Sequence, residues 1–395
     1  MTVGVPVDAH PHERRVPLVP TVIPLLAKAG ATVIMQRGAS DKAGFPQAMY
    51  EEQGVRFTDD RADLFKESDV LVRLHGFNES DSDLSLLHSG QIVLGLLNPY
   101  QSPQAARILA ERGVTAFALE FLPRIARSQS MDALTSMASL SGYKAVLIAA
   151  HDLNKIFPMT ITAAGAINAA KVFVVGAGVA GLQAIATARR LGAVVQAYDV
   201  RPIAKEQVES LGGKFVELTL ETKGAETAGG YAKDLGEDFY RRQREMMLQA
   251  VAESDVVITT AAIPGKKSPV LVTKEMVERM RPGSVIVDLA AEGGGNCELT
   301  RAGETVIVNG VSIAGPLNLP STIPFHASQM YARNITAFLQ NLIKDGRITL
   351  DSDDQIIRES LLTHQGEVVN PTVRKILNLP ELNPPAATKN SSGTP

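Results

Sequence analysis

The sequence predicts an α/β protein built as two domains, each a largely parallel sheet with helices on its faces, flanking a cleft, with the first domain discontinuous. Three observations predict it. Short β-rich runs alternate with helix-like stretches up to about residue 120, a second alternation of the same kind begins at Lys171, and two long helix-like segments, 132–153 and 326–345, stand between the alternations and after the second. Such alternation joins each strand to the next through a helical crossover, which is how a parallel sheet reads in sequence. A length of 395 residues agrees with two domains at roughly 100–200 residues each.

In the first alternation the β candidates are 32–35, 70–74, 92–97 and 115–119, with helix-like segments such as 22–29 and 103–112 between them. Gly30 and Gly113 follow those helices, where a left-handed residue closes a helix. The second alternation opens with a continuous apolar run at 172–175. Residues 182–191 then carry helical spacing, with Arg189 and Arg190 in the last turn, where cations complement the helix C-terminus, and Gly192 after it. Further β runs at 194–198, 214–216, 256–259, 284–288 and 305–308 complete the succession expected of a doubly wound nucleotide-binding domain. The two long helices imply that the chain crosses to the second domain and returns. The expected boundaries are 1–135 with 316–377 for the first domain, 136–315 for the second, and 378–395 for a flexible tail.

Composition excludes several classes. The chain is 45% apolar, which removes disorder and collagen from consideration for its bulk. Its 39 basic and 42 acidic side chains nearly cancel, and no long basic run occurs, so a nucleic-acid surface has no electrostatic support. A single cysteine, Cys297, rules out a disulfide framework and a multi-thiolate metal site, and fits a reducing cytosol. The first residues lack the basic flank and apolar core of a signal peptide. The longest uncharged apolar stretch, 172–188, is broken by three glycines and reads as strand–turn–helix, so no membrane span is expected. His10 and His12 have the wrong spacing for a helical zinc pair, and no zinc, EF-hand or serine-hydrolase motif is present; no metal site is expected.

The strongest chemical signal is the strand 172–175 followed by Gly176-Ala177-Gly178-Val179-Ala180-Gly181. A bare G-x-G-x-x-G is weak, but this one follows a buried-strand pattern and opens a helix, the context of a Rossmann-like dinucleotide site. Gly176 makes the tight turn, Gly178 lets backbone approach a pyrophosphate, Gly181 permits close helix–strand packing, and the helix N-terminus supplies amide donors. Asp199 ends the next strand, 18 residues after Gly181, near the ~20 expected for the ribose-binding acid. Its carboxylate favours NAD(H) over NADP(H), although Arg201 nearby softens the repulsion of a 2′-phosphate.

Two further segments stand out. The run 123–132 packs Arg124, Arg127, Gln129 and Asp132 just before a long helix, near the crossing between domains. It reads either as a helix N-cap, with Ser130 or Asp132 on orphan amides, or as a substrate site at a domain junction. The connection 217–247 is long and charged and contains Gly229-Gly230-Tyr231; it reads either as a surface helix with a turn or as a lid.

These residues carry a resemblance. Gly176–Gly181 with the following 182–188, Asp199-Val200-Arg201, 205–214 and the AETAGGYA stretch at 225–232 resemble the alanine dehydrogenase/transhydrogenase superfamily. The R-x-x-R-x-Q-S-M-D run and the PGKKSPVLVT segment from Pro264 narrow it to the soluble NAD(H)-binding components, domain I, of proton-translocating transhydrogenases. The resemblance implies that Arg124 and Asp132 orient the nicotinamide carboxamide and the local backbone, and that Gln129 reaches toward a second nucleotide. Thr135 stands where the family often has serine. It also implies cofactor contacts from Val200, Arg201, Gly230, Tyr231 and Ala261, with the Tyr231 loop closing over bound nucleotide. The implied reaction is direct, reversible hydride transfer between NAD(H) here and NADP(H) on a partner subunit, the Re/Si-specific type coupled to proton translocation. The implied partners are a second copy of the chain, an NADP(H)-binding subunit and a membrane-spanning proton-channel subunit, holding this chain at the cytoplasmic face of the inner membrane.

Two alternatives compete. An alanine dehydrogenase resembles this chain at Glu13-Arg14-Arg15-Val16, where Arg15 takes the place of the substrate-carboxylate arginine. Where such enzymes carry a lysine and then a histidine, this chain has Arg73 with His75, and then Asn98-Pro99-Tyr100; Glu292 replaces their aspartate. Without that histidine, amino-acid dehydrogenation lacks its proton acceptor. A non-catalytic NAD-binding regulatory module would share the glycine turn but need no Arg124, Gln129 and Asp132.

Overall fold

The computed structural model describes residues 1–217, 236–263, 265–344 and 346–382. Its first layer contains strands β1 (Thr2–Val5), β2 (Thr32–Gln36), β3 (Arg56–Thr58), β4 (Val70–Arg73), β5 (Ile92–Gly95) and β6 (Thr115–Ala118). Helices α1 (Ile23–Lys28), α2 (Gln47–Glu51), α3 (Arg61–Glu67) and α4 (Pro103–Glu111) lie between them. The long α5 (Ala133–Asp152) and a hairpin, β7 (Thr160–Thr162) and β8 (Gly165–Ile167), lead to the second layer. There follow β9 (Lys171–Val175), α6 (Val179–Arg190), β10 (Val194–Tyr198), α7 (Ala204–Ser210), β11 (Lys214–Phe215), α8 (Glu237–Ala252), β12 (Val256–Thr259), α9 (Lys274–Glu278) and β13 (Val285–Asp288). The hairpin β14 (Thr305–Val308) and β15 (Val311–Ala314) closes this layer. The chain then returns through α10 (Pro324–Leu342), a hairpin of β16 (Ile343–Lys344) and β17 (Arg347–Ile348), α11 (Gln355–Ser360), β18 (Leu361–His364), β19 (Glu367–Val368) and α12 (Pro371–Ile376).

Both sheets are doubly wound. The first runs β19-β18-β6-β5-β4-β1-β2-β3, parallel from β3 to β6, with β18 antiparallel beside β6 and β19 antiparallel beside β18. The second runs β11-β10-β9-β12-β13-β15-β14, parallel except for β14. In each, the strand order reverses beside the first strand, between β1 and β4 and between β9 and β12. Such a reversal leaves a crevice at the carboxyl ends of the strands, where ligands bind in this class of sheet. The central strands are buried on both faces and consist mainly of Val, Ile, Leu and Phe, which is why they read as apolar runs rather than alternations. The expected α/β, Rossmann-like class is what the chain adopts.

Several elements differ from expectation. The sequence does not announce β1 and β15 as strands, nor the hairpin at β7 and β8, the returning pair β18 and β19, or α11 and α12. β1 is four residues ended by Pro6, too short to show a period, yet it lies at the centre of its sheet. The connection 217–247, read either as a surface helix with a turn or as a lid, holds α8 over its last part, with Tyr240, Gln243, Met247 and Val251 of that helix buried. Residues 218–235, with Gly230 and Tyr231, lie outside the described residues, as does 383–395 of the expected tail.

One element joins the layers. α5 packs against α10 on the first sheet and against α6 on the second. Its crossing with α6 is close, since a Cβ on Gly142 would lie 2.0 Å from the carbonyl oxygen of Ala180. Among the described residues α5 is also the one helix long and apolar enough to cross a membrane, by length and composition alone.

Candidate functional site

The site is built from the turn between β9 and α6. Gly176 has φ +97°, and a Cβ there would lie 2.5 Å from Thr260 Oγ1. A Cβ on Gly181 would lie 1.8 Å from the carbonyl oxygen of Gly176, so α6 can approach the turn this closely only with glycine at both points. Gly178 differs: the nearest described atom to a Cβ there is Arg201 Nη2 at 3.9 Å. Ala177 is buried, whereas Val179 is exposed beside it in the first turn of α6. This is a backbone cradle with open space over its middle glycine, ahead of a twelve-residue helix whose N-terminus faces it.

Asp199 begins the turn after β10 and grips that cradle. One carboxylate oxygen accepts from the Ala177 amide at 2.7 Å and from Arg201 Nη2 at 2.9 Å. The other accepts from the Arg201 amide at 2.8 Å and Arg201 Nε at 2.9 Å. The guanidinium therefore lies side-on against the acid. Arg201, which the sequence suggests only as a softening neighbour, is the direct partner of Asp199, and Val200 between them packs against the second core.

The run before α5 is held differently. Ser128 is buried, and its hydroxyl donates to the carbonyls of Pro123 and Ile125, while Arg127 pairs with Asp354 at the start of α11. These bonds fix a 3-10 turn over Ala126–Met131. Asp132 caps α5, accepting from the Thr135 amide at 2.8 Å and the Thr135 hydroxyl at 2.6 Å. The N-cap reading of the run thus belongs to Asp132 rather than Ser130. Arg124, Gln129 and Thr135 lie on the exposed side of the segment. The structure brings Asp132 to Thr135 and Ala177 to Asp199 and Arg201, and α5 carries the first pair on the same rod that packs against α6.

Ala261, just beyond β12, is clamped by a residue that sequence reasoning missed. Asn296 accepts from the Ala261 amide at 2.9 Å and donates to the Ala261 carbonyl at 2.8 Å, and it also donates to the Pro269 carbonyl. Asp288, at the end of β13 and wholly buried, holds Asn296 in turn. Its oxygens accept from the amides of Ala290, Asn296 and Cys297 and from the hydroxyls of Thr259 and Thr300. The available signal was the Gly293-Gly294-Gly295-Asn296 stretch, in which Gly294 and Gly295 take positive φ.

Facing this across the cleft is a buried polar cluster. Glu13 accepts from Arg15 Nε at 2.8 Å and Nη2 at 2.7 Å, from Asn318 Nδ2 at 2.8 Å, and lies 2.6 Å from His75 Nε2. Burial alone would raise its pKa, but the bonds from Arg15 and His75, the Arg15 charge and Asn318 together hold it far below the usual carboxylate range. Arg15 is thereby committed to Glu13. The Asn318 amide donates to Glu292 at 2.8 Å, joining the cluster to the loop after β13. Asn98 has φ +50°, and its amide donates to Glu120 at 2.5 Å.

A doubly wound sheet carrying a glycine cradle, with an acid at the end of the second strand and a second such sheet across the cleft, defines a two-domain Rossmann-like protein. The chain matches the families described as alanine dehydrogenase/PNT, N-terminal domain, over residues 4–141, and alanine dehydrogenase/PNT, C-terminal domain, over residues 145–371. It is 42% identical over 379 residues to the first portion of NAD(P) transhydrogenase subunit alpha of Rhodospirillum rubrum, covering 94% of this chain and 99% of that one. It is 40% identical to NAD(P) transhydrogenase subunit alpha of Haemophilus influenzae over 98% of this chain and 75% of the relative. The alanine dehydrogenase of Bacillus subtilis is 28% identical over 95% of each chain. Among solved structures, a transhydrogenase from Sinorhizobium meliloti superimposes with a TM-score of 0.81 at 40% identity, covering 94% of this chain and all of that one. An L-alanine dehydrogenase gives 0.80 at 26%, over 96% of this chain and 99% of that one. The chain belongs to the alanine dehydrogenase/PNT family.

Proposed function

We propose that this chain is the NAD(H)-binding component of a proton-translocating NAD(P) transhydrogenase, passing hydride directly and reversibly between NAD(H) and an NADP(H) held by a partner subunit. One observation carries the reading: the 123–135 run sits at the head of the helix that packs on the glycine cradle, in a chain 42% identical over 94% of its length to a transhydrogenase alpha component. The cradle suits the dinucleotide. It pairs backbone space at Gly178 with helix amides for a pyrophosphate, and it has an acid at the end of β10 for a ribose. Bound NAD(H) supplies the hydride carrier. The protein's part is to bind, orient and exclude water, because a hydride moving between two carbon atoms needs no acid or base, and fixing two reactants in register removes most of the entropic barrier.

In this reading Gly176, Ala177, Gly178, Val179, Ala180 and Gly181 cradle the phosphates, and Asp199 with Val200 and Arg201 takes the adenosine end. Arg124, Asp132 and Thr135 orient the nicotinamide, Ala261, Gly230 and Tyr231 line the same site, and Gln129 faces the second nucleotide. Asp199→Asn should weaken NADH by about 1.5–3 kcal/mol, the worth of a charge-assisted hydrogen bond, and narrow its preference over NADPH. Calorimetric titration with both nucleotides checks this; equal NADH and NADPH affinities in the unaltered protein would refute the assignment. Gln129→Asn, one methylene shorter, should leave NADH binding nearly unchanged while hydride transfer collapses in the presence of the partner. A regulatory module would be indifferent to that change.

The alanine dehydrogenase reading has the fold in its favour but meets Asn98 where its histidine belongs. Turnover of alanine with NAD⁺ by the purified chain alone would establish it. The division into 1–135 with 316–377 and 136–315 is supported by β18 and β19 joining the first sheet. A homodimer is supported by the hairpin at β7 and β8, which exposes Ile161 (74%) and Ile167 (51%) next to Met159 (62%). A membrane-spanning proton-channel subunit would then hold the pair at the cytoplasmic face of the inner membrane.

A further inference from the structure

Glu120 is a half-buried residue whose carboxyl group the proposed hydride transfer does not use. It sits in the short turn after β6, at the carboxyl edge of the first sheet. Oε1 accepts from the Asn98 amide at 2.5 Å, and the polar backbone of Leu97 and of Glu120 itself favours the charged form. Oε2 is buried and has no hydrogen-bond partner among the described residues. Burial pushes the group up to about 7 against the pull of those backbone groups.

No charged side chain among the described residues acts on it. The surrounding elements account for this. On α11, Arg358 and Glu359 are exposed, and on α5, Asp132 is engaged with Thr135. The 96–102 turn carries no charged residue, and Arg124 lies on the exposed side of its segment. From α10 the buried phenol of Tyr331 is the titratable group coupled to Glu120. Its hydroxyl is occupied, donating to the Arg73 carbonyl and accepting from the Leu96 amide.

The Asn98 turn leads across the cleft. Asn98 holds a left-handed backbone, its carbonyl accepts from the amides of Gln101 and Ser102, and its side chain donates to Gln101. Tyr100, inside this turn, packs edge-on against Phe121 at 5.4 Å. On its other side it rests directly on Gly265, where a Cβ would lie 2.7 Å from the ring. Gly265 follows Ala261 in the segment leaving β12.

We propose that Glu120 is a proton-linked positioning residue: by gaining or losing a proton on Oε2 it loosens or pins the Asn98 turn, and through Tyr100 and Gly265 it sets how firmly the dinucleotide segment beyond β12 is held. The ionised group accepts from the Asn98 amide and pins the turn. The protonated group is a weaker acceptor, and the turn relaxes. The inference rests on the proposed NADH site for its functional consequence but not for its structural one.

The test therefore has two arms. NADH affinity of the full chain, measured by titration from pH 6 to pH 8, should tighten about 3- to 10-fold, and Glu120→Gln should flatten the profile. A profile that survives in E120Q belongs to another group and overturns the proposal. The second arm needs no nucleotide. The chain has no tryptophan, so Phe121→Trp places a single tryptophan, excited selectively over the tyrosines, against Tyr100. Its emission should change in one step near neutrality, and the step should vanish in the F121W/E120Q pair. A step without pH-dependent NADH binding would fault the nucleotide reading, whereas no step at all would fault the role of Glu120.

Discussion

Gly181→Ala will yield a chain that melts lower and no longer binds NADH measurably. The added methyl group would sit 1.8 Å from the carbonyl oxygen of Gly176, a backbone atom that no rotamer change can move aside. Retreat of α6 is blocked from the other side, where Gly142 of α5 lies against the carbonyl of Ala180. The strain must then be relieved by distorting the cradle itself. Overpacking of this kind costs about 1–3 kcal/mol even where side chains can yield; here the yielding part is the binding site. Gly178→Ala is the matched control. Its methyl group would have 3.9 Å of clearance, so it should melt like the unaltered protein and lose affinity only because backbone approach to the phosphates is blocked. Thermal melting with calorimetry separates the two, and Gly181→Ala binding NADH at unaltered affinity would contradict the cradle assignment.

The second large effect is expected for Asp288→Asn, a change of nearly identical shape. Each oxygen of Asp288 receives at least one backbone amide, Ala290 on one side and Asn296 with Cys297 on the other. Whichever way the asparagine is turned, its NH₂ group faces a backbone N–H, leaving two buried donors opposed. Leaving a buried donor without its acceptor costs about 1–3 kcal/mol for each group. Urea unfolding should show that loss. Because Asn296 is released from its anchor, NADH affinity should fall with it through Ala261, some distance from the altered atom. A variant as stable as the original would show that the Asp288 bonds are ornamental.

How much of this was legible in the sequence follows from the range of each interaction. The cradle and Asp199 were legible because strand, glycine turn, helix and following acid are successive, and each glycine answers to a local backbone need. The long helices and most central strands were legible from their apolar runs. β1 was not, because four residues show no period. Neither were β18, whose strand character depends on a partner, β6, more than 240 residues away, and β19, which pairs only with β18. α8 is obscured because its charged surface masks the stripe of Tyr240, Gln243, Met247 and Val251, spaced as one helix face. Asn296 and the Glu13–Asn318 bond were illegible for the same reason as β18: their meaning lies in atoms 35 and 305 residues distant.

The crossing of α5 on α6 sets a mechanical tolerance. Gly142 is a pivot held by backbone contact, and Asp132 stands ten residues up the same helix, about 15 Å away at 1.5 Å per residue. On a lever of that length a tilt of about 4° swings the tip by about 1 Å, a displacement able to cost about 10²-fold in rate when reacting groups must meet. Alanine at position 142 would therefore be felt twice, against the cradle at Ala180 and as misalignment at the far end of the rod.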